Sequence, residues 1–502
     1  MIGAFGPVET LCAVGIILAG IWYYLVANYS FWKERGIPGP KPEIIFGNTK
    51  DPTLVRENFG VSLKTLCDQF PGAPLVGIYD RRTPVLIVRD PELVKDVMIK
   101  DFSKFSERGN PVHEKVEPLA VHLFNLETKR WRSLRSKLTP AFTSGKMKNM
   151  FTLILECVEH FEQYLDNLAA KGEPIDCREI TAQYTTDVIG SCAFGLQMNA
   201  MDDDNSEFRK MGRKIFNMDT KIRILRLLRL AAPWLYELIG IPAMSDDITK
   251  FFTASVKETV DYRMKNNIHR PDIIEILIDV KTNPEKLDFE LTDAFIASQA
   301  FVFFAAGFET SSTTISHALM ELAQNHDMQD RLRREITESL EASGGKITYE
   351  TLRELKYLDM VFKETLRLRP PLPMLVRKAM TDYTFRGTNL TIREGQLIWI
   401  PIWDIQQNPE HYPKPEVFDP ERFTDEMIKA RHPMTYLPFG DGPRNCIGAR
   451  FGTCQTKLGL IKVLSKFKVD LCDKIQIPYV PSPASFLLEP VGGIHLKFTK
   501  IE

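Results

Sequence analysis

The longest uninterrupted hydrophobic stretch lies near the N-terminus. Residues 10–32 carry no charged side chain, and residues 11–27 are almost wholly apolar. At about 1.5 Å of helical rise per residue, such a stretch spans a hydrocarbon core of roughly 30 Å. Aromatic residues gather at its C-terminal end, and Lys33 and Arg35 follow. This arrangement is typical of a membrane anchor whose following chain remains in the cytosol.

We therefore expect a transmembrane anchor over residues 1–32. A cleaved secretory signal is the alternative, but the basic leading region and small-residue cleavage site that it needs do not stand out. Residues 33–45 follow, with closely spaced prolines and two glycines. They predict a stiff, extended linker, because successive prolines exclude helix.

The pattern after the linker is mainly helical. Apolar residues recur at helical spacing over 147–170, 245–266, 292–325 and 327–341, and one more helix follows Cys446 to about Phe467. Residues 75–79 and 84–88 are rich in strand-forming residues and predict a hairpin around residues 80–83. We expect one large domain over residues 46–502, mainly α with a minor β part.

Composition narrows the function classes. The chain has 44% hydrophobic and 26% charged residues and a net charge of −1, values of a globular protein that does not wrap nucleic acid. Its eight cysteines form no CxxC pair. We therefore predict neither a zinc site nor a disulfide framework, and interpret most of the thiols as buried residues in a reducing compartment.

One cysteine lies in an unusual setting. Residues 439–448 read Phe-Gly-Asp-Gly-Pro-Arg-Asn-Cys-Ile-Gly, so that Cys446 sits among turn-forming residues with Arg444 two positions before it. A helix rich in small residues is predicted to begin at Gly448, and a helix N-terminus stabilises a thiolate. The pattern indicates a thiolate that ligates a metal through sulfur. An ordinary glycine-rich loop with a buried cysteine is the alternative.

The longest predicted helix, 292–325, carries small and polar residues in its middle. Ala306, Gly307, Glu309 and Thr310 stand where a buried helix normally has larger side chains. The Thr310 hydroxyl is expected to donate to the carbonyl of Ala306 and to distort the helix there. An acid next to an alcohol is what proton delivery requires, whereas a notch made only for packing is the alternative.

These stretches together resemble the cytochrome P450 superfamily, and the resemblance extends over nearly all of the chain after the linker. It implies a P450-type domain that binds haem b, with Cys446 as axial ligand of the iron. It also implies that Thr310 and Glu309 are the catalytic residues that hold water and relay protons. Electrons come from NADPH through NADPH–cytochrome P450 reductase, and cytochrome b5 is a second expected partner.

The same resemblance assigns further binding residues. Trp131 and Arg135, one turn apart on a predicted helix, and Arg377 and Arg444 correspond to contacts of the haem propionates; Arg108 is a weaker candidate. Glu364, Arg367 and Arg422 correspond to the family's buried ion network behind the haem, a structural role. The apolar substrate pocket is expected to include Phe124, Phe301, Val302, Ala306, Leu375, Phe486 and Leu487.

Two surfaces are predicted to meet other molecules. Basic residues near Trp131 (Lys129, Arg130, Arg132 and Lys137) are either a solvated helix face or a docking surface for an acidic electron donor. Residues 218–242 mix arginines with leucines and isoleucines. They are either a core-packing helix or a segment that touches the lipid bilayer.

The expected function is that of a monooxygenase of the endoplasmic reticulum (microsomal) membrane, with its catalytic domain in the cytosol. Several stretches, among them His-Leu-Phe-Asn-Leu at 122–126, resemble insect microsomal members that metabolise xenobiotics, which favours oxidation of lipophilic plant toxins or insecticides. One alternative is oxidation of endogenous hormones, pheromones or fatty acids. Another is a haem-binding sensor or carrier without turnover.

Overall fold

The computed structural model describes residues 6–203, 205–216, 220–270, 272–283, 289 and 291–501. Helices form most of this part of the chain. They are α1 (Pro7–Val26), α2 (Phe31–Glu34), α3 (Lys50–Thr53), α4 (Phe59–Asp68), α5 (Pro91–Lys95), α6 (Thr128–Leu138), α7 (Ser144–Ala169), α8 (Cys177–Ile189), α9 (Glu207–Phe216), α10 (Thr220–Ala231), α11 (Pro233–Ile239), α12 (Asp246–Asn266), α13 (Ile273–Thr282), α14 (Asp293–Gln324), α15 (His326–Ala342), α16 (Tyr349–Glu354), α17 (Lys356–Leu368), α18 (Ile402–Gln406), α19 (Asp425–Ala430) and α20 (Ala449–Lys466).

The strands form small sheets at the edge of the helical core. They are β1 (Leu75–Asp80), β2 (Thr83–Val88), β3 (Ile175–Asp176), β4 (Leu375–Lys378), β5 (Tyr383–Thr384), β6 (Thr391–Ile392), β7 (Leu397–Ile400), β8 (Phe467–Leu471) and β9 (His495–Lys500). The largest sheet has the order β1-β2-β7-β4, in which only the β2–β7 pair is parallel. The others have the orders β3-β9-β8 and β5-β6. The predicted mainly α fold with a minor β part is confirmed.

Helix α14 is the centre of the fold. Thr292 caps it by accepting a hydrogen bond from Phe295 N at 3.1 Å, and Asp293 adds a favourable charge to its first turn. Most of its side chains are buried, because α8, α12 and α20 pack around it. Gly307 allows the closest of these approaches: a Cβ there would lie 2.6 Å from Cδ1 of Ile189 in α8.

Helix α1 contrasts with this core. It and α14 are the two described helices that are long and apolar enough to cross a membrane, but α14 is 67% buried in the relevant window and α1 is 0% buried. The α1 aromatic residues Trp22, Tyr23 and Tyr24 are exposed. The structure therefore contains an apolar helix without a buried residue, as the predicted anchor requires.

The segment after α1 packs more closely on the domain than the sequence predicts. Trp32, expected at the membrane interface, is 2% exposed and donates its indole N–H to Ile78 O at 2.9 Å. In the predicted linker, Pro38 O accepts from Gly77 N at 2.8 Å. Gly39 is required there, because its Cβ would lie 1.9 Å from Gly77 O. The linker residues are thus attached to strand β1 rather than extended freely.

Candidate active site around Cys446

A large apolar cavity lies between α14 and the loop that precedes α20. Its empty volume is about 1550 Å³, part of it open to solvent. The residues around it come from many elements, so that the fold as a whole shapes the space. Besides the residues treated below, the lining includes Phe142, Met150, Cys192, Ala193, Phe362, Leu366, Leu372, Phe451 and Gln455.

One face of α14 forms a wall of this cavity. Val302, Ala306 and Thr310 recur every fourth residue and line it, and Ala306 is exposed to it although the helix around it is buried. The Thr310 hydroxyl donates to Ala306 O at 2.8 Å, the bond expected from the sequence. The expected distortion does not interrupt the helix, which runs unbroken through this point.

The loop with Cys446 forms the opposite wall. Gly440 and Gly442 adopt φ values of 63° and 71°, which favour glycine. A Cβ on Gly442 would also lie 2.0 Å from Met98 O, so the loop packs directly on the backbone of the segment that follows α5. Cys446 N donates to Phe439 O at 2.8 Å and closes the loop. The cysteine is thereby fixed with its side chain accessible from the cavity.

The thiol of Cys446 has protein on its other sides. This burial raises the pKa of the Cys446 thiol, while the Gly448 N–H and the positive charges of Arg135 and Arg108 act in the opposite direction. Helix α20 begins directly after Gly448, where the sequence predicted it. The loop therefore supplies donors and cations that favour a thiolate, and a metal ion on the cavity side adds to them.

Arginines crowd this end of the cavity. We call them the cavity arginines: Arg108, Arg135, Arg377 and Arg444. Arg135 donates to Asn445 O at 2.9 Å and Asn445 Oδ1 at 2.8 Å, and Arg444 donates to Leu126 O at 2.8 Å. The Arg444 guanidinium also lies 4.3 Å from the centre of the Trp131 ring. The predicted propionate-binding residues are therefore neighbours.

These cations lack anionic partners. Among the described residues, no carboxylate lies within ion-pair distance of a cavity arginine, and Arg377 Nε and the Nε and Nη1 atoms of Arg444 are buried without a hydrogen-bond acceptor. Burial lowers the pKa of Arg377 to about 10 and that of Arg444 to about 9. Buried donors without acceptors are costly, so this end of the cavity is built for an anion.

The second predicted cluster contains a carboxylate that two arginines share, although Arg422 Nε is also a buried donor without a hydrogen-bond acceptor. Glu364 in α17 receives Arg367 Nε at 2.7 Å and Arg367 Nη2 at 2.8 Å, and Arg422 Nε lies 3.5 Å from the same carboxylate. Arg367 also donates to the carbonyls of Gln406 and Val417. Burial raises the pKa of Glu364, and the neighbouring Arg367 opposes this effect. The structure thus brings the predicted ion network together.

Glu309 points away from the cavity that Thr310 lines. Its buried carboxylate forms an ion pair with Arg178 of α8, and Arg178 also binds Glu489 at 2.7 Å and the Ser312 hydroxyl at 2.7 Å. Arg178 and Glu489 were missed in the sequence, because neither belongs to a recognisable motif. The two halves of the predicted acid–alcohol pair therefore face different surroundings.

The predicted substrate pocket is placed only in part. Phe124, Val302, Ala306 and Leu375 line the cavity. Phe301, Phe486 and Leu487 are not among the lining residues. Phe301 is turned towards α12 and packs on Phe252 with ring centres 5.3 Å apart, while Phe486 packs towards Phe59 at 6.2 Å. Arg377 also lies behind the lining rather than in it.

An accessible thiol, surplus cations and an apolar cavity beneath a long central helix define a haem-thiolate site in a mainly helical domain. The sequence profile of the family described as "Cytochrome P450" matches residues 37–497. The chain belongs to the cytochrome P450 family and is a monooxygenase.

Curated relatives span the whole chain. It is 41% identical over 507 residues to "Probable cytochrome P450 6a14" of Drosophila melanogaster, with 98% of this chain and 99% of that protein covered. It is 40% identical over 498 residues to "Cytochrome P450 6A1" of Musca domestica, with 98% of each covered. It is 38% identical over 514 residues to "Cytochrome P450 6k1" of Blattella germanica, with 98% and 97% covered.

The residues present fit the family's cofactor, haem. Its iron takes a cysteine thiolate, and Cys446 is accessible from the cavity. Its propionates are anions, and the unpartnered donors of Arg377 and Arg444 are what two carboxylates need. The apolar lining of the remaining space suits the porphyrin faces. Electrons reach this cofactor from NADPH through a reductase, as membership of the family implies.

Proposed function

We propose that this chain inserts one oxygen atom from O2 into lipophilic small molecules, in detoxification of plant toxins or insecticides. The observation that carries the lipophilic substrate class is the cavity lining: Val302, Ala306, Leu375 and Phe124 present apolar groups. The hydroxyl residues of α14 in the lining are Thr310, Ser311 and Thr314. Such a lining orients substrates by shape rather than by hydrogen bonds. The insect relatives, which share the whole length of the chain, support this choice.

Cys446 would hold the haem iron, and the cavity arginines with Trp131 would hold the propionates. When bound, the haem supplies activation of dioxygen and transfer of an oxygen atom to the substrate. Arg135 has a double contact with the loop, because it binds both oxygens of Asn445, the residue before Cys446. It therefore couples the position of the thiolate to that of the propionate site.

Thr310 and Glu309 would handle protons. Thr310 Oγ1 can give its proton to Ala306 O and keep its lone pairs towards a water in the cavity. Glu309 must leave Arg178 before its carboxylate can reach that water. Glu489 stays bound to Arg178 at 2.7 Å, so the guanidinium keeps a partner when Glu309 moves. This exchange keeps the partly buried Arg178 guanidinium paired throughout, which lowers the cost of moving Glu309.

We propose that the protein lies on the endoplasmic reticulum membrane. Helix α1 is apolar and has no buried residue, and Tyr24 near its end packs under the Arg82 guanidinium of the β1–β2 turn at 3.5 Å. Trp234 and Leu238 of α11 are 70% and 75% exposed, respectively. These side chains fall in the predicted bilayer-contacting segment 218–242, of which residues 218 and 219 lie outside the described part. Lipid would cover both surfaces.

The proposed electron donors are the reductase and cytochrome b5, docking near α6. Lys129 and Arg132 are exposed there, whereas Arg130 is partly occupied by Glu127 at 2.8 Å. Arg135 of the same helix touches the residue before Cys446. An acidic partner on this helix would therefore stand close to the thiolate side of the cofactor, where a short electron path begins.

The test is a product screen by mass spectrometry. Full-length protein, reductase and NADPH are incubated with plant phenolics, insecticides, endogenous terpenoids and fatty acids. If the enzyme acts in detoxification, we expect oxidised products from several chemically unrelated toxins of different sizes. Turnover confined to one terpenoid or fatty acid would replace this proposal with an endogenous role, and no product from any lipophile would favour a sensor or carrier.

A further inference from the structure

A buried amide ties the loop over the cavity to the central helix. Gln299 of α14 is 0% exposed. Its Oε1 accepts from Leu123 N at 2.8 Å, and its Nε2 donates to Val121 O at 2.9 Å. Ser298 Oγ donates to the same Val121 carbonyl at 2.7 Å. The side chain thus pairs with the loop backbone as a neighbouring strand would, and the loop cannot shift without leaving buried polar groups unpaired.

The clamped backbone leads directly to a cavity wall. Leu123 and Phe124 both line the cavity, and Phe124 is 42% exposed, as a side chain at its mouth would be. Arg108 holds Phe124 from the other side. It donates to Phe124 O at 2.8 Å, and its guanidinium lies 4.0 Å from the centre of the ring.

The opposite wall belongs to the helix that carries the clamp. Val302 and Phe303, one turn after Gln299, line the cavity. The distance between the two walls is therefore set where α14 meets the loop, by the Gln299 amide together with the Ser298 hydroxyl. Neither Gln299 nor Ser298 lines the cavity itself, so their influence on a substrate passes through Phe124.

We propose that Gln299 is a positioning residue that sets the width of the substrate cavity by fixing Phe124. Loss of the amide frees the loop, widens the cavity mouth and shifts selectivity towards broader molecules. This inference deepens the proposed function and rests on it in taking the cavity as the place where a lipophile binds. The clamp itself is a separate observation and can be measured without any substrate.

The chain contains a matched control for a merely structural role. Gln329 of α15 is also 0% exposed and makes the same double contact with backbone: Nε2 donates to Val469 O at 2.8 Å, and Oε1 accepts from Val469 N at 2.9 Å. It holds β8, and neither Gln329 nor Val469 lines the cavity. Loss of its amide removes these two bonds, together with the bond that Oε1 accepts from Arg333 Nη2 at 2.7 Å, and leaves Phe124 in place.

The first measurement is amide hydrogen exchange on the full-length, haem-loaded protein. Gln299→Met removes the amide at nearly constant volume, and Gln299→Glu keeps the acceptor for Leu123 N while losing the donor to Val121 O. We expect Leu123 to exchange about tenfold faster in Gln299→Met, the effect of losing roughly one hydrogen bond's worth of protection. Gln329→Met should change Val469 and not Leu123. Unchanged exchange at Leu123 would overturn the proposal.

The second measurement is substrate binding, followed by the absorbance change of the haem as naphthalene, anthracene and pyrene are titrated. The ratio of the pyrene to the naphthalene dissociation constant should fall about fivefold in Gln299→Met, less in Gln299→Glu and not at all in Gln329→Met. Equal shifts in the Gln299 and Gln329 variants would contradict the positioning role. If the unmodified protein binds none of these lipophiles, the proposed function fails, and the exchange data alone decide the clamp.

Discussion

Two groups of arginines in this molecule differ in whether a carboxylate lies among them. Around Glu364, the guanidiniums of Arg367 and Arg422 share one carboxylate and several carbonyls. Around Cys446, the cavity arginines contact carbonyls, an amide oxygen and aromatic rings but no carboxylate of the described residues, and donors of Arg377 and Arg444 lack hydrogen-bond acceptors. Arg377 and Arg444 are buried as deeply as Arg367 and Arg422, so for these four the difference lies in what surrounds them.

The difference indicates that the arginines around Glu364 support the fold, whereas the cavity arginines serve to bind an anion. A buried cation that already has its carboxylate holds the polypeptide together, and removing one partner leaves an uncompensated charge. A buried cation without a carboxylate destabilises the folded chain until an anion binds. Pairing with that anion then contributes to the free energy of binding. In a cytochrome P450 the arriving anions are the haem propionates, and the comparison predicts opposite responses of the two groups to mutation.

The largest expected effect on stability belongs to the ion network around Glu364. Glu364→Gln keeps the shape of the side chain and removes its charge, which leaves Arg367 and Arg422 without a counter-ion. We expect the free energy of unfolding to fall by about 3–5 kcal/mol and haem incorporation to fail, as measured by denaturant titration and haem content. The partly exposed pair of Lys64 with Asp68 is the control, and Lys64→Gln should change stability by no more than about 0.5 kcal/mol. Equal effects at the two sites would break the comparison.

The next effect is the pH dependence of stability that arises from His122, which lies near the cavity arginine Arg108. Burial, with the nearby positive Arg108, lowers the pKa of His122 to about 3 from 6.5. Between these values the unfolded chain binds a proton that the folded chain does not, so stability present above pH 6.5 is lost as the pH falls. The loss should reach up to about 1.4 kcal/mol per pH unit, and His122→Gln should reduce it. Parallel acid-denaturation curves for both proteins would remove His122 from the account.

The smallest expected change in stability belongs to the cavity arginines. Arg444→Met removes a buried cation that lacks an anion, so the haem-free protein should change by no more than about 1 kcal/mol, in either direction. Haem retention should fall instead, with transfer of haem to excess apomyoglobin about tenfold faster. Arg450→Met is the control on the exposed start of α20. A large loss of haem-free stability would place Arg444 with the supporting arginines.

Local chemistry was well predicted by the sequence. The helix expected over 292–325 is Asp293–Gln324, and the Thr310 hydroxyl binds Ala306 O, because both depend on residues within a turn of each other. Cys446 and its glycines were identifiable for the same reason. These features follow from spacing along the chain.

Partners distant in sequence were not predictable in this way. The pairing of Glu309 with Arg178 joins α14 to α8, and no spacing along the chain records it. Phe301 was expected in the pocket beside Val302, but a step of one residue turns a helix side chain by about 100°, which directs Phe301 to Phe252. Trp32 was expected among the aromatic residues at the membrane interface. Its partner, strand β1, lies more than 40 residues further along the chain, so no local pattern records the contact.

The central claim is that Cys446 is the thiolate ligand of a haem seated on the cavity arginines. The most direct measurement is the absorption spectrum of the reduced protein with carbon monoxide. The unmodified protein and Cys454→Ala, which alters a buried thiol of α20, should show the red-shifted band of a thiolate-ligated haem, and Cys446→Ala should lack it. A thiolate band that survives in Cys446→Ala would contradict the account.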